Sequence, residues 1–104
     1  PKSQVGFLEA NCRFHLTMAE PSGNIRLLRT LESLLIDMDR LFHLGLRLKD
    51  SGQEMTREHI EIVDTLESGD VEALRRLIIN QISASKDRIM QAIMSGELQP
   101  IQVL

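Results

Sequence analysis

Tryptophan and tyrosine are missing from this sequence, and three phenylalanines are its whole aromatic content. The core must therefore be aliphatic, and the abundant Leu and Ile suit helices packed on helices. One cysteine, Cys12, excludes a disulfide within the chain, and nothing points to an oxidising compartment. No apolar run approaches the roughly 20 residues of a membrane span. No signal peptide is visible, so a cytoplasmic protein with no membrane partner is expected. Basic charge is short as well. Twelve Lys and Arg stand against 15 Asp and Glu, giving a net charge of -3. Without a basic stripe the chain has no means of gripping a nucleic-acid backbone by itself. What is present is ordinary for a globular domain, and 104 residues leave room for one domain, not two. The chain starts at Pro1 without an initiator Met and is expected to be a piece of something longer.

Four stretches carry helical periodicity. In the first, about Gln4–Glu20, Phe7, Leu8, Asn11, Phe14, His15 and Met18 share one face, with Glu9, Arg13 and Thr17 opposite. "EPSGN" breaks it, and Asn24 is a natural N-cap for the next helix. The second stretch, Ile25 to about Lys49, has a wide stripe of Leu28, Leu31, Leu35, Met38, Phe42 and Leu46, broadened by Leu27, Leu34, Leu41 and Leu48. Such a face suits a central helix or one that meets a partner subunit. Its polar side holds Arg29, Glu32, Arg40, His43 and Arg47. Gly52 reads as a breaker and Thr56 as the N-cap of a short third helix. Its stripe is His59, Ile62, Val63 and Leu66, set against Glu58, Glu61 and Asp64. Gly69 and Asp70 form a stop-and-start signal. The fourth helix, Val71 to about Ser95, sets Leu74, Ile78, Gln81, Ile82, Ser85, Ile89 and Ile93 near one face. Gly96 and Pro100 close it. Residues 1–96 are read as one helical domain and residues 97–104 as a tail.

Three of these apolar stripes carry polar groups: Asn11 and His15, then His59, then Gln81 with Ser85 one turn on. Burying an unpartnered polar group costs about 1–3 kcal/mol. Side chains at i and i+4 lie one above the other on a helix. Asn11 and His15 are therefore placed to grip one object, with His59 and Gln81 closing in from other helices, as in bundle-core ligand sites. The plainer reading is a set of hydrogen-bonded core residues. Cys12 reads as a small core filler, and the charged face around His43 as solvated.

"NCRFHLTMAEPSGN" and "REHIEIVDTLESGDVEAL" together resemble the FCD ligand-sensing domain of FadR-type regulators in the GntR family of bacterial transcription factors. Phe14-His15, Ser22-Gly23-Asn24, Glu58-His59 and Gly69-Asp70 follow that pattern in order, over roughly residues 8–95. The resemblance implies an all-α antiparallel helical bundle that forms a homodimer. It implies a small effector in the bundle core, often an organic acid, and a divalent metal held there by an Asp and three His. It also implies operator DNA bound through an N-terminal winged helix-turn-helix domain, which this chain lacks, as it lacks the family's first one or two helices.

The chain departs from that pattern at two ligand positions. His15 and His59 match metal ligands, but Asn11 stands for the Asp and Gln81 for the last His. Amide oxygens are poor ligands for zinc or nickel beside carboxylate or imidazole. The expected metal site is weak or lost, and no cofactor is assigned with certainty. The effector-pocket candidates are Asn11, His15, His59, Gln81, Ser85 and Arg40. Asn11 and Gln81 can donate and accept hydrogen bonds to an effector, expected to be a carboxylate. No nucleophile–base pair lies on the stripes, so an enzyme is not expected. The alternative is a ligand-free structural dimerisation module.

Overall fold

The computed structural model describes residues 2–46 and 51–95, and among these the protein is all-α. Helix α1 spans Lys2–Ala19, a short 3-10 turn spans Glu20–Ser22, α2 spans Ile25–Gly45, α3 spans Ser51–Ser68 and α4 spans Val71–Met94. No strand occurs among the described residues. Arg47, Leu48 and the end of the second predicted helix lie outside them, as do Gly96, Pro100 and the tail. None of the described helices is long and apolar enough to cross a membrane.

The junctions follow from local chemistry. Pro21 opens the 3-10 turn and Gly23 ends it at φ +66°, a left-handed conformation that glycine adopts at no steric cost. Asn24 Oδ1 accepts from Leu27 N at 3.0 Å, satisfying one of the free N–H groups that open α2. Gly69, at φ +76°, stops α3 in the same way. Asp70 Oδ1 then accepts from Ala73 N at 2.9 Å and starts α4. Glu72 in the first turn of α4 adds negative charge at the positive end of the helix dipole.

Helix α3 corrects the sequence reading. It begins at Ser51, so Gly52 is helical and Thr56 is not its cap. The Thr56 hydroxyl donates instead to the Gly52 carbonyl at 3.0 Å, one turn back. The inward face also differs. Met55 and Ile62 are buried, and Glu58, His59 and Thr65 are half-buried, whereas Val63 and Leu66 are exposed. Rotating the face by this much turns Glu58 from a solvated position to an interior one. On α4, Leu74, Ile78, Gln81, Ser85, Ile89 and Ala92 face inward, while Ile82 and Ile93 are exposed.

The chain divides into two compact units, Pro1–His43 and Leu44–Leu104. In the first, α1 turns its Leu8, Asn11, Phe14, His15 and Met18 face inward and its Glu9, Arg13 and Thr17 face outward, as the periodicity predicts. Helix α2 half-buries Leu28, Leu31, Leu35 and Phe42 but leaves Ile25, Leu27, Leu34, Ile36 and Leu41 exposed. In the second unit α3 and α4 pack against each other. Ile62, Ile89 and Ala92 are buried there, and an isoleucine side chain contributes about 1.5–3 kcal/mol when fully buried. Gly45 lets α2's last turn approach α4: a Cβ at that position would stand 3.5 Å from Ile89 Cγ1.

Candidate functional site

In the first unit, α1 and α2 face each other across a cleft of about 300 Å³. Leu8, Asn11 and Cys12 form its α1 wall, with Glu9 at the margin, and Leu35, Ile36, Asp39 and Phe42 form its α2 wall. The wall residues recur at helical spacing, 8–9–11–12 on one helix and 35–36–39–42 on the other, because each helix turns one stripe toward the gap. The lining is mostly apolar. Its charges are the carboxylates of Glu9 and Asp39, with no Lys or Arg.

Asn11 is the polar residue that sequence periodicity put on the apolar face, and it is 4% exposed. No hydrogen bond or other polar contact to its side chain occurs among the described residues. No fully buried side-chain nitrogen or oxygen among those residues lacks a partner. The Asn11 amide therefore keeps contact with solvent, on the cleft that it lines. Cys12 is half-buried beside it rather than sealed in a core. Asp39 Oδ2 lies 3.5 Å from His43 Nε2, one turn along α2, so His43 is half-buried and paired rather than simply solvated. His15, one turn beyond Asn11, is half-buried, with its ring edge-on to Phe14 at 5.3 Å and 79°. It does not line the cleft, and neither does Arg40, which is exposed on α2.

The second unit holds the other candidates. His59 on α3 is half-buried, and loss of hydration pushes its pKa below the ordinary 6.5, favouring the neutral ring. Gln81 on α4 is also half-buried. Its Nε2 donates to the Glu58 backbone carbonyl at 2.9 Å, so α4 is tied to the turn of α3 that carries His59. Ser85 follows one turn on, half-buried.

Sequence reasoning missed a charge-assisted polar contact between α3 and α4. Arg88 Nη2 and Nη1 donate to Glu58 Oε1 and Oε2 at 2.9 and 3.2 Å, a fork-to-fork pair. Glu54 Oε2 stands 3.5 Å from the same guanidinium. A signal existed in the sequence. Arg88 continues the 81–85–88–92 spacing of the inward face of α4, so a charge there needed a partner across the helix pair.

These donors fit a divalent transition metal poorly. As a donor set they are two imidazoles and two amides, and the Gln81 amide is already engaged with a carbonyl. The described residues contain no group of three or more His, Cys, Asp or Glu placed to hold one ion.

The family model that matches the sequence is the FCD domain, over residues 1–84. The match reaches the start of the chain and stops within α4, short of the span that the motifs suggest. No curated protein and no solved structure gives a significant match.

Proposed function

Because this chain belongs to the FCD domain family, which supplies the effector-binding domains of GntR-type transcriptional regulators, we propose that it senses a small metabolite and acts as a homodimer. Such domains serve regulators rather than enzymes. DNA binding in the regulator then falls to a winged helix-turn-helix domain. An effector changes operator affinity only as far as it prefers one arrangement of the regulator over another.

The observation that carries the reading is Asn11. Asn11 is 4% exposed, its amide has no hydrogen bond among the described residues, and what contact it keeps with solvent lies on the cleft. A molecule that enters the cleft can take the place of that solvent and bond the amide. Of the other candidates, His15 and Arg40 share the first unit with the cleft without lining it, and His59, Gln81 and Ser85 belong to the second unit. The resemblance implies an organic acid as effector, yet the cleft wall offers it no cation. Dimerisation is supported by α2, where Ile25, Leu27, Leu34 and Leu41 are all exposed. Apolar surface of this kind is usually covered by a partner.

The substitution Asn11→Leu tests the reading. If the amide is kept for a ligand, the apolar replacement leaves the unliganded protein as stable or more stable, and removes the rise in melting temperature caused by ligand. If Asn11 served only the fold, the variant would lose about 1 kcal/mol or more while its ligand response stayed unchanged.

A further inference from the structure

The cleft between α1 and α2 has the wrong charge for the effector that the resemblance implies. A carboxylate ligand is offset for its desolvation by cations and hydrogen-bond donors, and is opposed by neighbouring carboxylates. The cleft instead has two exposed carboxylates at its edge, Glu9 at the margin of α1 and Asp39 on α2. Glu9 forms no ion pair or hydrogen bond among the described residues. Asp39 has one partner, His43, on one of its two oxygens. An anion placed here would meet two like charges.

The geometry points to a small aliphatic amine as the molecule this cleft binds. An ammonium group carries three N–H donors and one positive charge. Glu9 and Asp39 supply the countercharge. Asn11 Oδ1 is an acceptor with no competing donor among the described residues, on a residue 4% exposed. Leu8, Leu35, Ile36 and Phe42 take the carbon chain. Ile36 is otherwise 64% exposed, an apolar surface that such a chain would cover. A volume of about 300 Å³ lies at the small end of ligand pockets, which run to about 1,000 Å³. The space suits a small molecule. This assignment rests on the effector-binding reading and specifies its ligand class.

Three probes of equal chain length separate charge from burial: hexylamine, hexanol and hexanoate. Each is titrated calorimetrically into the full chain at low salt, and Cys12 serves as a second readout. It is the protein's one cysteine and lines the cleft, so an occupant should slow its alkylation. Hexylamine is expected to bind about tenfold more tightly than hexanoate, because two partly exposed carboxylates attract one and repel the other. It should protect Cys12, and added salt should narrow the difference. The double substitution Glu9→Gln, Asp39→Asn should abolish the preference for amine while hexanol binds as before. Hexanol binding also reports that the variant's cleft is intact. Equal or tighter binding of hexanoate would overturn the amine assignment and leave effector binding standing. Failure of all three to bind or to protect Cys12 would overturn both.

Discussion

Replacing Arg88 with Met removes the guanidinium that holds α3 to α4 and leaves the rest of the packing nearly filled. The side chains of Arg88 and Glu58 are 13% and 20% exposed, so their pair is neither on the surface nor fully buried. Exposed pairs contribute about 0–1 kcal/mol. Breaking a buried pair from one side costs about 3–5 kcal/mol, because the other charge is left behind. With two good hydrogen bonds lost and Glu58 still partly in solvent, Arg88→Met should cost about 2 kcal/mol. For a domain of this size that is roughly a 10 °C fall in melting temperature. Glu54, half-exposed and farther from the guanidinium, should matter little, so Glu54→Gln should cost under about 0.5 kcal/mol. Thermal and urea unfolding followed by far-UV circular dichroism would measure these values. The decisive comparison is a double-mutant cycle with Glu58→Gln, which should show coupling of about 1–2 kcal/mol. A cycle that closes with no coupling would refute the argument that this pair joins the two helices.

Three further outcomes follow from the same physics. The folded protein holds the His59 pKa below 6.5 through desolvation, so the neutral ring's contribution is complete above that value. It is lost as pH falls from 6.5 through the lower folded pKa, so stability should fall over that acidic range, and His59→Gln should flatten the profile. Asp70→Ala should cost about 1 kcal/mol by freeing the N–H of Ala73 at the start of α4, measured by urea unfolding. Gly69→Ala should cost about 1–2 kcal/mol by forcing a Cβ into a left-handed residue, even though no neighbour crowds it.

The helix ends were legible where one residue decides them. Asn24 and Asp70 cap their helices through side-chain bonds three residues long, and Gly23 and Gly69 take positive φ. Helix existence was legible for the same reason, since a 3.6-residue period is a local property. The start of α3 was not legible. Gly52 and Thr56 are weak helix formers, but Thr56 bonds back within the helix instead of capping it. Glu58 was read as solvated because its partner lies 30 residues away on another helix, where no local pattern connects them. Of the candidate site, Asn11 was visible as a polar residue out of phase with its surroundings. The acidic character of its cleft was not, because Glu9 and Asp39 each look like surface residues until α1 and α2 face each other.

A native mass spectrum of the protein, taken as purified and without added ligand or metal, tests effector binding by a dimer most directly. Subunit number and retained small molecules are read from one experiment. The account predicts a dimer that carries or readily takes up a small metabolite at a defined stoichiometry. A monomer that retains nothing, and takes up nothing from a mixture of small amines and acids, would contradict it.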